Sequence, residues 1–200
     1  DIAIVALKGT AIESLATILP PLLHGRLVVA CLMNGLGNEE RITMINGVER
    51  VIAGSAFICS EQIDPGVIEH TAAGGLAFSP FSGFPAPDLV TPESLAALFT
   101  AAGVPTRVEA NPKSVKWAKL VWNVPFNGLS IFYGGVTTDL ILEDPKRAAF
   151  ARELMEEVVS AGRADGAELD EALIEKNLRA TPSMGAYRTS MTVDFLKGRP

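Results

Sequence analysis

Cysteine, histidine, tryptophan and tyrosine each occur only twice among the 200 residues. Cys31 and Cys59 stand singly inside apolar runs, in neither a Cys-x-x-Cys pair nor a Cys/His cluster. A disulfide framework and a structural zinc site therefore have no basis here, and a reduced, cytoplasmic protein is expected. Basic residues are outnumbered, 17 against 23 acidic, for a net charge of −6. That balance argues against a nucleic-acid binder, which would present a basic face. There is no run of five like charges to suggest an interaction tail. No apolar run approaches the roughly 18 to 20 residues needed to span a bilayer, so no membrane partner is expected. The opening "DIAIVALKGT" lacks the basic flank and small-residue cleavage site of a signal peptide. It also lacks an initiator Met, and the chain closes on "FLKGRP" within a helical pattern. The expectation is a piece of a longer protein, cut at both ends.

What is present is hydrophobic content of 48%, ample for real cores. "IAIVAL" (2–7) reads as a strand buried on both faces, and "RLVVACLM" as a second one ending in the turn "NGLG". Between them "AIESLATILPPLL" has helical spacing broken by Pro20 and Pro21. "NEERITMI" predicts a helix and "VIAGSAFICSEQ" another strand. This alternation is the mark of a parallel α/β sheet. "VIEHTAAGGLAFSPF" predicts two short extended pieces turning at Gly74-Gly75, a hairpin at the sheet edge. "TPESLAALFTAAG" predicts a helix capped by Thr91, with Pro92 and Ser94 in its first turn and Gly103 closing it. "PTRVEA" reads as a last strand. Beyond "NPKS" only helical periodicity remains, including "DPKRAAFARELMEEVVSAGRADG" with Asp144 as its cap. The predicted division is an α/β part, 1–111, and an all-helical part, 112–200.

Chemistry concentrates in two places. In an open parallel sheet, ligands bind at the carboxyl ends of strands. The "KGT" loop (8–10) and the "NGLG" loop (34–37) occupy that position. Gly35 and Gly37 allow close backbone approach, Asn34 offers donor and acceptor, and Lys8 can reach a phosphate or ribose edge. Ordinary turn chemistry accounts for the same residues, and the GxGxxG fingerprint of a dinucleotide site is absent. The second place is "KWAKLVWNVPFNGLS" (116–130), where Lys119, Asn123 and Asn127 recur at four-residue spacing. A helical row drifts by only about 40° per four-residue step, so the three share one side of the most apolar helix in the chain. The bland alternative is a snorkelling lysine with two surface amides. Pro125 makes the direction of Asn127 less secure than that of Asn123. Ser190 in "RTSMTVD" reads as a helix cap or a ligand residue. His24 and His70 have no partner nearby in sequence, and no Ser-His-Asp or metal constellation can be assembled.

The pieces "DIAIVALKGT", "LMNGLGNEE", "GVIEHTAAGG", "WAKLVWNVPFNGLSIFYG" and "RTSM", in this order and spacing, resemble the ketopantoate reductase (2-dehydropantoate 2-reductase) family over essentially the whole chain. Lys-x3-Asn-x3-Asn preceded by Asn-Gly-x-Gly is the most specific element. The resemblance implies a partial Rossmann-type NADP-binding domain, followed by a helical domain of the 6-phosphogluconate dehydrogenase C-terminal-like type that closes over the substrate. It implies NADPH-dependent reduction of ketopantoate to pantoate in pantothenate biosynthesis. Lys119 would be the general acid, Asn123 and Asn127 would hold the substrate's hydroxyl and carboxylate ends, and Ser190 its carboxylate. Asn34 would sit between nicotinamide and substrate, with Lys8 near the cofactor. The family's GxGxxG region lies upstream of Asp1 and a functional glutamate beyond Pro200, so the fragment itself is expected to be inactive. The apolar helical half suits a homodimer. Two alternatives stand beside this reading. A hydroxyisobutyrate-type 3-hydroxyacid dehydrogenase would use Lys119 and Asn123 but neither Asn127 nor Ser190. A non-catalytic helical interaction module would bury the stripe as a polar seam.

Overall fold

The computed structural model describes residues 1–84 and 90–199. The chain divides into two compact units, Asp1–Lys116 and Trp117–Pro200.

The first unit is built on a five-stranded sheet in the order β1 (Ile2–Val5), β2 (Val28–Cys31), β3 (Val51–Asp64), β4 (Val67–Ser82), β5 (Thr106–Val108). β1, β2 and β3 run parallel, and β4 and β5 pair parallel at the other side. The run "VVAC" explains the layering. Side chains alternate along a strand, so Val29 and Cys31 join Ile12, Leu15, Leu19 and Ile42 in one buried cluster. Val28 and Ala30 join Ile52, Phe78 and Leu95 in another. Both faces are covered, one by the short helices α1 (Leu15–Ile18) and α2 (Asn38–Thr43), the other by α3 (Pro92–Ala101). This is a Rossmann-like arrangement.

Three expectations are corrected here. β1 ends at Val5 and is an edge strand of this sheet: only Val5 is buried, while Ile4 is 48% exposed. The segment of helical spacing forms a 3-10 turn, a four-residue helix and a second 3-10 turn that begins at Pro20, where the prolines interrupt it. No hairpin turns at Gly74-Gly75. β4 is continuous and pairs antiparallel with β3 along its length, the chain reversing at Pro65-Gly66 with Gly66 at φ +77°. Pro followed by Gly supplies the two turn conformations directly. Ala73 (φ +61°) and Gly74 (φ +124°) instead form an irregularity in β4, where His70 Nε2 lies 3.0 and 3.2 Å from the Ala72 and Ala73 carbonyls. α3 does carry its capping box, with Thr91 and Ser94 exchanging hydrogen bonds.

The second unit is helical: α4 (Pro112–Phe132), whose first turn belongs to the other unit, α5 (Thr138–Leu142), α6 (Pro145–Ala164), α7 (Ala172–Ala180) and α8 (Ser190–Leu196). α4 starts where Asn111 Oδ1 accepts the backbone N–H groups of Lys113 and Ser114. It continues through Pro125 as one helix. Val121, Trp122, Phe126 and Leu129 face a core shared with Ile141, Met155, Val159 and Ile174. The Trp122 indole N–H donates to Thr181 Oγ1 at 2.9 Å, and Thr181 donates to the Asn177 carbonyl at 2.7 Å. The indole's polar end is therefore satisfied where its body is buried.

Candidate active site

In the helical unit, α4 determines which side chains gather. Lys119, Asn123 and Asn127 are each half-buried, on one face, beside the fully buried row Trp122, Phe126 and Ser130. Because the helix does not break at Pro125, Asn127 keeps the direction that its spacing from Asn123 predicts. Half-burial is the state that suits a ligand wall. The two amides and the ammonium lie beside the buried row yet still reach solvent, whereas a purely structural polar seam would be enclosed. Ser190 is exposed and opens α8. The capping explanation for it is overturned. Thr189 is the cap, its Oγ1 accepting the Thr192 N–H at 3.2 Å and lying 2.8 Å from Thr192 Oγ1. The Ser190 hydroxyl is thereby left outside the cap. α8 lies beside the turn that follows α4, with Leu196 against Gly135.

In the α/β unit, the two predicted loops leave the same edge of the sheet. Val5 pairs with Cys31, so Lys8 and Asn34 follow neighbouring strand ends. Lys8 is exposed and precedes a 3-10 turn. Asn34 is exposed, and its backbone carbonyl accepts the Asn38 side-chain N–H at 2.9 Å. Gly35 and Gly37 have φ of +90° and +79°, a conformation in which an L side chain is strained. A methyl group placed on Gly37 would meet no atom within 4 Å. The loop thus presents open backbone at a strand end, which fits the flat approach of a nicotinamide.

Beneath this loop lies a feature that the sequence reading missed. Lys116, one turn before Lys119 on the same helix, is buried, and its Nζ stands 2.7 Å from Glu39 Oε1. It also donates to the Met33 carbonyl at 3.0 Å. Cys31 adjoins the pair. Burial, and secondarily the Glu39 charge, push its thiol up to about 12, so it remains protonated. The available signal was Lys116 at three residues' distance from Lys119 in an apolar helix; an acidic partner in "NEE" carried none.

Among the described residues no group of three or more His, Cys, Asp or Glu could hold a metal ion, and no helix is long and apolar enough to cross a membrane.

Two family models match the chain. "Ketopantoate reductase PanE/ApbA" covers residues 1–83, and "Ketopantoate reductase PanE/ApbA C terminal" covers 111–200. The chain belongs to the ketopantoate reductase family. A curated 2-dehydropantoate 2-reductase from Nostoc is 32% identical across the whole of this chain, which covers 63% of that relative. The crystal structure of 2-dehydropantoate 2-reductase from Geobacter metallireducens superposes with a TM-score of 0.90 at 35% identity, covering all of this chain and 66% of that one. D-mandelate dehydrogenase, solved with NADH, shares the fold with a TM-score of 0.88 at 19% identity, over 100% and 67% of the two chains. The chain spans just under two thirds of the length of the first curated ketopantoate reductases it matches.

Proposed function

We propose that the protein to which this chain belongs reduces 2-dehydropantoate to pantoate with NADPH, as a step of pantothenate biosynthesis in the cytoplasm, and works as a homodimer. The observation that carries this reading is the half-buried Lys119, Asn123, Asn127 face of α4 in a chain of the ketopantoate reductase family. Relatives named 2-dehydropantoate 2-reductase support the substrate, and the open-backbone loop at Asn34 supports the nicotinamide.

When bound, a reduced nicotinamide would supply the hydride for the keto acid's carbonyl carbon. Lys119 meets the charge that develops on the carbonyl oxygen and delivers the proton that completes the alcohol. An ammonium suits both tasks, since it is cationic before transfer and neutral after it. Asn123 and Asn127 hold the substrate's hydroxyl and carboxylate ends by directional hydrogen bonds, and Ser190 adds a donor to the carboxylate. Asn34 and Lys8 would hold the nicotinamide cofactor, Asn34 by its amide and Lys8 at a phosphate or ribose edge.

The test is NADPH oxidation by the complete protein with ketopantoate, beside Lys119→Ala. Loss of about 10²- to 10⁴-fold in kcat, with NADPH still bound, is the expected result for a general acid. Full activity in Lys119→Ala would remove this lysine from the chemistry. A related small 2-keto or 3-hydroxy acid dehydrogenase is the second reading, and Asn127→Ala separates the two. The variant is impaired if the substrate carries a group for Asn127, and unharmed in a hydroxyisobutyrate-type enzyme.

A further inference from the structure

Lys116 joins two points that flank a single loop. Its ammonium donates to the carbonyl of Met33, the residue before Asn34, at 3.0 Å. The same nitrogen pairs with Glu39, in the first turn of α2 beyond the loop, at 2.7 Å. The residues between them, Asn34 to Asn38, include two glycines with positive φ; the Asn38 amide donates to the Asn34 carbonyl and the Arg41 N–H to the Gly37 carbonyl. Two glycines give this backbone more conformational freedom to lose than other residues would. Stability does not account for the pair either. Lys116 is 7% exposed and Glu39 3%, and buried ion pairs roughly break even against well-packed apolar residues. What a buried charge pair supplies that leucine and methionine cannot is a fixed direction.

We propose that Lys116 is a positioning residue. With Glu39 it staples both stems of the Asn34–Asn38 loop and so fixes Asn34 for hydride transfer. This rests on the reductase reading as far as the role of Asn34 is concerned; the staple itself does not. Lys116 acts through Asn34 and is not a second acid.

Single removal of Lys116 would strand a buried carboxylate, and that variant can fail to fold. The test variant is therefore Lys116→Met with Glu39→Met, which removes both charges together, made in the complete protein with and without Asn34→Ala. The expected result is a fall of about tenfold or more in kcat for ketopantoate, with the Kd for NADPH changed by less than about threefold. In combination with Asn34→Ala the staple variant should cost nothing further, because residues acting through one group are non-additive. Amide hydrogen exchange supplies a readout independent of turnover. Residues 34–38 should exchange about tenfold faster in the staple variant, while β2 keeps its protection. Multiplying kcat losses, or a variant that only melts earlier, would overturn the positioning role. Unchanged loop exchange would overturn the staple itself. If the unaltered protein reduces no keto acid, the reductase reading fails and loop exchange alone decides whether the staple exists.

Discussion

Two glycines in helix interiors make opposite predictions under the same substitution. Gly128 lies in α4 on the side away from Lys119 and Asn123, and a Cβ there would meet nothing within 4 Å. Gly128→Ala should therefore stabilise by about 0.8 to 1 kcal/mol, the intrinsic helix preference of alanine over glycine. Gly162, in α6, has the same intrinsic gain available but no space. A Cβ would stand 2.8 Å from Leu169 Cδ1 and 3.1 Å from Cγ and Cδ2 of Trp117. Leu169 can swing its terminal methyl aside. Trp117 cannot turn so easily, because those two atoms sit at the root of its ring and its N–H is held by Asp165 at 2.9 Å. The backbone is also pinned, the Gly162 carbonyl accepting the Ala167 N–H at 2.8 Å. Overpacking of this kind costs about 2 to 3 kcal/mol, so Gly162→Ala should be about 1 to 2 kcal/mol less stable than the parent chain. The two variants should then differ by about 2 to 3 kcal/mol, or roughly 4 to 12 °C in Tm. Both tryptophans, Trp117 and Trp122, lie in the helical unit with both glycines. Urea unfolding followed by tryptophan fluorescence thus reads the relevant unit directly. Equal midpoints for the two variants would refute the packing of α6 against α4 described above.

Two further substitutions separate structural from functional polar groups. Thr189→Ala removes the cap of α8 and should cost about 1 to 2 kcal/mol by the same unfolding assay. Ser190→Ala should leave the melt unchanged, yet raise the KM of the keto acid about tenfold in the complete protein, the worth of a hydrogen bond to a carboxylate; a stability loss at Ser190 would put the cap back there. Asp144 gives a pH prediction. Its carboxylate accepts the N–H groups of Arg147 and Lys146 at the start of α6, which holds it below the usual carboxylate range. A folded pKa below the unfolded one means that its contribution is complete above the ordinary carboxylate range and is lost as pH falls toward the lower folded value. Asp144→Asn retains an acceptor for the cap, so its unfolding midpoint should lose that part of the acid dependence and little else.

The fold was legible wherever a local rule and the tertiary environment agreed. "VVAC" had to be a doubly buried strand, and Thr91-Pro92 and Asp144-Pro145 had to open helices, because each carries its cap and its first-turn residue together. The family resemblance was also legible, since it rests on spacing that folding does not alter. An apolar run reads the same in an edge strand and a central one, so 2–7 suggests a burial that β1 lacks in this sheet. The long β3–β4 hairpin is hard to place from sequence because Gly74-Gly75 reads as a stronger turn signal than Pro65-Gly66, although a positive φ serves an irregular strand as well as a turn. Ser190 reads as a possible cap because Ser and Thr are near-equal caps, and nothing local distinguishes residue 189 from 190. The Lys116–Glu39 pair could not be read at all. Its partners are 77 positions apart, and a buried charge has no periodicity of its own.

That pair bears on which of the two lysines in "KWAK" fits the acid of the proposed reduction. A proton donor must touch the substrate and be recharged from water in each turnover. Lys116 is enclosed and its ammonium is committed to Glu39 and Met33, whereas Lys119 is half-buried on the face that carries Asn123 and Asn127. Attraction to a developing alkoxide and donation of the proton are separable roles, and Lys119→Arg separates them. A guanidinium keeps the charge and adds donors but releases no proton at ordinary pH. If Lys119 is the acid, the arginine variant of the complete protein should keep the KM for ketopantoate within a few-fold and lose kcat about as severely as Lys119→Ala, roughly 10²- to 10⁴-fold. If charge stabilisation is its whole contribution, Lys119→Arg should recover most of the activity that Lys119→Ala loses, and the proton must come from water. Steady-state kinetics on the three proteins decides between the two, because a positioning defect would appear in KM as well, whereas loss of the acid would appear in kcat alone.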